Sequence, residues 1–565
     1  MSKAKRISAL PGDHNLQNYD QACRTFNFEE LAREFYGDAA WVNVAHRVLE
    51  DNIARGLGDR VALYFDGDDR QETYTFNQLN QQVNRFANIL EKHGLQRGDR
   101  LGLFLPRSPE LYISFLGAAK KGVVVVPLFE AFMEDAVRER LQDSGARALV
   151  TTADLLPRVP RQHLPGLKTV FITRGAVADT DNTLDWHSEV TAASPVTRCC
   201  WLNREDPLFI LYAAGADGRP KGLVHVHDIM LGLWYTSAWV HDLKDGDVYW
   251  CTADPGWITG IAYGFLAPWL HGVPVLVKGG RFDAAGWCRA LEKYKVSVWY
   301  SAPTAWRMII AAGREVYGQY DLSSVRHLLS VGEPLTGDVM QWCMETFGIP
   351  VYDTWWMSET GMNMICNLRC LDIKLGSIGR PVPGIKAAVV DDSGKELPPY
   401  HVGNLAVQRG WPAMARDVWG DRAKYEAYFK LAPWFISGDA AYMDEDGYFY
   451  FQGRVDGVIN TAGERVGPWE VEEKLKEHPA VLDAGVAGKP DKIRGEIIKA
   501  YIVLQPGHQW SQQLKEELRS FVKNGLAAHA APREFAVKEN IPKTPDGQVD
   551  RKALRGWVLE LGGVD

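Results

Sequence analysis

The stretch FNQLNQQVNRFANILEKHGLQRGDRLGLFLPRSPELYISFLGAAKKGVVVVPLF, residues 76–129, decides the fold class. In 76–94 the apolar residues Leu79, Val83, Phe86, Ile89 and Leu90 recur at helical spacing. DRLGLFLP (99–106) follows as a short apolar strand ended by proline. ELYISFLGAAKKG (110–122) reads as a helix stopped by glycine, and VVVVPLF (123–129) as a buried β-branched strand. Helix and strand alternating in this way predict parallel sheets covered by helices, an α/β fold.

Working outward, the same theme recurs on the C-terminal side. RALVTT (147–152), TVFIT (169–173), PVLVKG (274–279), SVWYSAP (297–303) and HLLSVG (327–332) are further strands. Residues 1–40 are mixed in character and are expected to form a peripheral arm. The last part of the chain reads as a separate unit. GYFYFQGRVDGVINTAGERVGPWEVEEKL begins as a β-rich ribbon and turns helical near Pro468, KAYIVLQPG is a strand, and QQLKEELRSFVKNGLA is an amphipathic helix. The expected division is a large N-terminal domain, 1–455, and a small mobile α+β domain, 456–565. A surface turn is the ordinary role for Asp456 at that boundary.

Composition narrows the function classes. At about 150 residues per domain, 565 residues are ample for several cores. The formal net charge of -8 leaves no basic footprint for nucleic acid. The eight cysteines are scattered without a CxxC pair, which favours reduced structural thiols over a metal or disulfide framework. MSKAKRISALPGDHN has charge but no apolar leader, and no apolar run approaches the ~20 residues of a spanning helix. These features predict a cytoplasmic protein without a membrane partner. The 20 tryptophans exceed ordinary need; core packing and walls around a small-molecule pocket both use such rings.

YAAGADGRPKG (212–222) has the outline of a phosphate-holding loop, with Gly215, Gly218, Gly222 and Lys221. It lies between the strand PLFILY and the strand GLVHVH. A Walker loop instead joins a strand to a helix and follows its lysine with Ser or Thr. Alone, the loop reads as a hairpin.

Its companions change that reading. SVGEP (330–334), DTWWMSETG (353–361), SGDAAYMDEDGYFYFQGRVDG (437–457), AGERVGPWEVE (462–472) and IPKTPDGQVDR (541–551) follow in order. Together they resemble the adenylate-forming superfamily of acyl-CoA synthetases, luciferases and peptide-synthetase adenylation domains, over nearly the whole chain. WYTSAWVHDLKDGDVYWCTADPGWITG (234–260) and WYSAPTAWRMI (299–309) are similar to AMP-forming acetyl-CoA synthetases in particular.

The resemblance implies chemistry in two halves. A carboxylate, acetate or propionate, attacks the α-phosphate of ATP to give acyl-AMP and pyrophosphate. The small domain then turns, and the thiol of coenzyme A attacks the acyl-AMP. Glu359 matches the family's Mg²⁺ ligand, a role that calls for a carboxylate oxygen. Ser358 matches a phosphate contact. Asp439 and Arg454 match the ribose contacts. Gly332, Glu333 and Pro334 match the segment lining the adenine, and Asp353 and Thr354 border the same nucleotide. Trp257, Ile258, Thr259, Val331 and Trp356 match the acyl pocket, where Trp356 is the wall that keeps the cavity short. Gly463 and Arg465 match the face that forms the thioester, and Asp456 the hinge.

Two departures fall in the first half. The family's loop reads [ST]-[SG]-G-[ST]-T-G-x-P-K-G; here the hydroxyl positions are Ala213, Ala214 and Ala216, and Asp217 replaces the final threonine. Each lost hydrogen bond to a charged group costs ~1.5–3 kcal/mol. The family's bridging lysine in the last motif is Gln548 here. A unit charge lost at ~4 Å and an effective dielectric of ~20 is worth about 4 kcal/mol, or roughly 10³-fold in rate. Three readings follow: a synthetase with a weakened adenylation half, an enzyme for the acyl-AMP/CoA half alone, or a non-catalytic nucleotide- or CoA-binding subunit of a protein partner.

Overall fold

The computed structural model describes residues 6–176, 182–213, 220–335, 337–454, 457–543 and 549–560, with the backbone alone for Asp338, Arg454, Arg465, Leu559 and Glu560. Two large sheets form the body. One runs, edge to edge, Asp417–Val418, Lys221–Val226, Pro207–Ala213, Val124–Leu128, Arg100–Phe104, Ala148–Thr151, Thr169–Ile172 and Thr183–Asp185. Its strands are parallel from Pro207–Ala213 onward, and Lys221–Val226 is antiparallel to both its neighbours. The second has a parallel centre, Val61–Asp66, Val275–Lys278, Tyr249–Cys251, Val298–Ser301, His327–Ser330 and Val351–Trp355, with antiparallel strands at each edge.

The opening stretch folds as its spacing dictates. Phe76–Lys92 starts at a capping box made by Thr75 and Gln78 and buries Leu79, Val83, Phe86, Ile89 and Leu90. It packs on Pro109–Lys120, which is buried on every side. That helix ends in a buried lysine: Lys120 Nζ donates to Asn80 Oδ1 at 2.8 Å and Asn84 Oδ1 at 2.6 Å and pairs with Glu50. A buried ammonium is tolerable only when satisfied in this way.

Residues 6–40 lie mostly at the surface, as an arm would, but are anchored in the body. Arg6–Ile7 pairs with Ile373–Lys374, and Leu16, Tyr19 and Phe35 are in the main core. Their apolar residues are too few for a pattern, yet these three are buried. The tryptophans divide as expected of a large core, with Trp250, Trp269, Trp299 and Trp306 fully buried.

A four-stranded antiparallel sheet, Ala387–Val390, Gly403–Gln408, Trp434–Met443 and Phe449–Arg454, leads to the C-terminal unit. That unit has a sheet of its own, Glu464–Val466, Ile459–Thr461, Gly495–Leu504, Val481–Asp491 and Glu534–Val537, backed by Pro468–Lys476, Gln512–Gly525 and Arg551–Glu560. It is docked on the body. Phe132, Ala136 and Leu141 share one apolar cluster with Val466, Val471 and Leu518. Arg140 pairs with Glu470 at 3.1 Å, and Lys474 with Asp135 at 2.5 Å. The Met133 N–H donates to the Leu526 carbonyl at 2.8 Å. No helix among the described residues is long and apolar enough to cross a membrane.

Candidate active site

The site lies where the central parallel strands of the second sheet end, the crevice in which open α/β sheets take ligands. His327–Ser330 runs out into Val331, Gly332, Glu333 and Pro334, and Val351–Trp355 into Trp356, Met357, Ser358 and Glu359. The two strand ends are tied together: Thr354 Oγ1 donates to the Ser330 carbonyl at 2.6 Å and hydrogen-bonds the Tyr300 hydroxyl at 2.7 Å.

A cavity of about 220 Å³ opens there, lined by Gly332, Glu333, Pro334, Asp353, Thr354 and Asp439. Trp356 also borders it. Asp439 comes from Trp434–Met443, directly across the ladder from Arg454, and its Oδ2 accepts from Trp355 Nε1 at 2.8 Å. Asp353 is buried, and burial pushes its carboxyl up to about 7. The structure thus gathers Gly332, Glu333, Pro334, Asp353, Thr354 and Asp439 at one cavity, while Ser358 and Arg454 are not among its lining. It adds Asn460, which sequence reasoning missed. The Asn460 amide donates to the Gly332 carbonyl at 2.5 Å, so the C-terminal unit closes this cavity.

A second cavity, of about 360 Å³, shares Gly332 with the first and is lined by Trp257, Thr259, Val331, Asp254, Gly463 and Glu464. Ile258 is buried in the core beside it, in the helix Ile258–Ile261. Trp356, expected with these residues, lines the first cavity and not the second; its ring is perpendicular to Tyr263 at 5.0 Å, and its Nε1 donates to the Tyr300 hydroxyl at 2.9 Å. Gly463 arrives on the hairpin of Ile459–Thr461 and Glu464–Val466, with φ of +82°. Arg465 lies across that ladder from Asn460.

A third cavity, of about 880 Å³, shares Arg107 and Glu130 with the second. Arg158, Arg174, Arg281 and Lys523 line it among several carboxylates. These basic residues were also missed, because they come from four distant segments and carry no common motif.

Lys221 opens its strand opposite Ala213, so the two ends of the glycine-rich loop are held side by side. Its Nζ lies 3.5 Å from Glu359 Oε1 and 4.7 Å from the centre of the Tyr428 ring. The Tyr428 hydroxyl donates to the same Glu359 oxygen at 3.0 Å. Ser358 is buried beside it. Gly215, Asp217 and Gly218 of the loop, Asp456 and Gln548 lie outside the described residues. The residues flanking Gln548 are rooted in the C-terminal unit. Lys543 pairs with Asp483 at 3.0 Å, the Asp550 N–H donates to the Pro542 carbonyl at 2.9 Å, and Arg551 pairs with Glu472.

Comparison with known proteins agrees with this geometry. Residues 49–416 match the family model described as AMP-binding enzyme, and residues 470–548 that of the AMP-binding enzyme C-terminal domain. The chain belongs to the AMP-binding enzyme family. It is similar to the acetyl-coenzyme A synthetase of Bacillus subtilis, 49% identical over 563 residues, covering 99% of this chain and 98% of that one. It is 37% identical to the acetyl-coenzyme A synthetase of Rubrobacter xylanophilus, over 94% of this chain and 87% of the other. Among solved structures, the acyl-CoA synthetase of Brucella canis is similar with a TM-score of 0.73 and 30% identity, over 97% of this chain and 100% of that one. This AMP-binding enzyme therefore has the α/β body and separate C-terminal domain of an acyl-CoA synthetase.

Proposed function

We propose that this protein is a cytoplasmic short-chain acyl-CoA synthetase, joining acetate or propionate to coenzyme A at the expense of ATP, through acyl-AMP, with release of AMP and pyrophosphate. The observation that carries the reading is the meeting of two cavities at Gly332, closed by the Asn460–Gly463 segment of the small domain. One cavity suits a nucleotide and the other a thiol, and they join where an acyl group would change hands. Relatives named acetyl-coenzyme A synthetase across almost the full chain support the same reaction.

In this reading Gly332, Glu333 and Pro334 line the adenine, and Asp353, Thr354 and Ser358 the ribose-phosphate. Asp439 accepts hydrogen bonds from the ribose, helped by Arg454. Trp257, Ile258, Thr259, Val331 and Trp356 enclose the acyl chain. Gly463 and Arg465 present the thiol side, and Arg158, Arg281 and Lys523 of the mixed-charge third cavity take the phosphorylated end of coenzyme A. The small domain begins at Asp456, the hinge. Mg²⁺ uses one or two protein carboxylates plus phosphate oxygens, so Glu359 alone is a fitting anchor. Bound there, the ion would neutralise phosphate charge. Lys221, already beside Glu359, would add a second cation.

The docked orientation brings Gly463 to the second cavity, an arrangement that suits thioester formation. With Gln548 and Asp217 in place of the family's lysine and threonine, the adenylation half is the weaker one. The test measures the halves separately: ATP–pyrophosphate exchange with acetate, and acetyl-CoA formation from acetyl-AMP and CoA without ATP. The expected result is a thioester half faster than exchange by about 10³-fold. Failure of both halves would overturn the reading in favour of a non-catalytic binding subunit.

A further inference from the structure

The second cavity holds a carboxyl group that the reading above leaves without a task. Glu464 follows Gly463 on the docked hairpin and lines the cavity together with Asp254. One of its oxygens, Oε2, is buried with no hydrogen-bond partner among the described residues. The neighbouring carboxyls are each held at one oxygen, although Glu333 Oε1, which does not line this cavity, is likewise unpartnered among the described residues. Asp254 Oδ1 accepts from the Gly256 N–H at 2.7 Å. Glu333 Oε2 accepts from Thr304 at 2.8 Å and faces Arg307 at 3.2 Å. Native proteins seldom leave a buried polar atom unpartnered without a use for it.

The titratable residues lining this cavity are Arg107, Glu130, Asp254 and Glu464. Arg107 is permanently charged and cannot accept a proton. Glu130 is at the mouth, shared with the third cavity. Asp254 is held by a backbone donor and by the field of Arg107. Glu464 Oε2 is the buried carboxylate oxygen of this lining that has no donor among the described residues. It also belongs to the small domain, so it is delivered only when the hairpin docks.

We propose that Glu464 is the general base that takes the thiol proton of coenzyme A during thioester formation; this rests on the synthetase reading. The S–H bond breaks with its proton going to the Glu464 carboxylate. The sulfur forms a bond to the acyl carbon, and the bond from that carbon to the AMP oxygen breaks. AMP leaves with the electron pair on its phosphate, and protonated Glu464 returns its proton to water when the hairpin undocks. Burial, with the charges of Asp254 and Glu333 adding to it, pushes Glu464 up to about 8. A thiol ordinarily titrates near 8.5, so donor and acceptor are matched, the condition under which general bases work best.

The test is single-turnover acetyl-CoA formation from acetyl-AMP and CoA by the full-length protein across pH 6–9.5, for wild type, Glu464→Gln and Glu464→His, with AMP binding measured on each to establish folding. The wild-type rate should rise with an apparent pKa near 8 and level off. Glu464→Gln should be slower by about 10²-fold or more, with a rate that climbs up to the thiol's own pKa. Glu464→His should recover at least part of the loss, with the rising limb moved to lower pH. A folded Glu464→Gln variant with wild-type rate and unchanged pH profile would overturn the proposal. Absence of acetyl-CoA formation by the wild type would instead overturn the synthetase reading on which it rests.

Discussion

A Cβ on Gly463 would stand 3.1 Å from Oε1 of Glu333, at a position where φ is already +82°. The small domain therefore meets the nucleotide side of the site through bare backbone. A larger residue would strain the turn and, in the proposed reading, fill the passage for the thiol. Gly463→Leu should slow acetyl-CoA formation from acetyl-AMP by at least about 10²-fold, the scale of loss when reacting groups are displaced by an ångström. AMP affinity, read by calorimetry, should stay within a few-fold of wild type.

Trp356 is braced by Tyr263 and by its hydrogen bond to Tyr300, so its indole is a fixed wall. Trp356→Gly should open the acyl pocket to longer chains. The ratio of kcat/KM for butanoate or pentanoate to that for acetate should rise by about 10- to 100-fold, the range one or two methylenes are worth in an apolar pocket. An unchanged ratio would place the end of the acyl pocket elsewhere.

Gln548→Lys with Asp217→Thr should raise ATP–pyrophosphate exchange, by up to about 10³-fold if the missing charge is the main deficit. Thioester formation from acetyl-AMP should change little, since both departures fall on positions the resemblance assigns to adenylation. No gain in exchange would mean that the loop and lysine departures are compensated within the native sequence.

Asp353 supplies a prediction about stability and pH. Burial raises its folded value to about 7, above the unfolded value near 3.9. Its protonated form is therefore favoured in the fold. The stability this contributes is full below about pH 4 and is lost as pH rises toward 7. Asp353→Asn, which carries no charge, escapes that loss. Its Tm relative to wild type should increase between pH 4 and pH 7 and then level off. A constant difference would show that Asp353 is ionised at little cost. Asp254, raised to about 7 by burial, should give a similar slope when replaced by Asn.

Much of this was legible in the sequence because it depends on local pattern or on short motifs. Helical spacing located Phe76–Lys92, apolar runs located the parallel strands, and the motifs around Gly332, Asp353 and Asp439 named residues that fold into one cavity. What escaped depends on contacts between distant segments. Leu16, Tyr19 and Phe35 give no periodic signal, yet they fill the core. Asn460 and Glu464 gain their neighbours only because the small domain docks, and the third cavity is assembled from segments more than three hundred residues apart.

The seam between Phe132, Ala136 and Leu141 on the body and Val466, Val471 and Leu518 on the small domain would make the proposed swing thermally biased. Apolar contact weakens on cooling, whereas the Arg140–Glu470 and Lys474–Asp135 pairs beside it answer chiefly to ionic strength. Chilling and salt are thus separate handles on one equilibrium. A cold, saline solution should hold more molecules undocked than a warm, dilute one, with no residue changed and no ligand added.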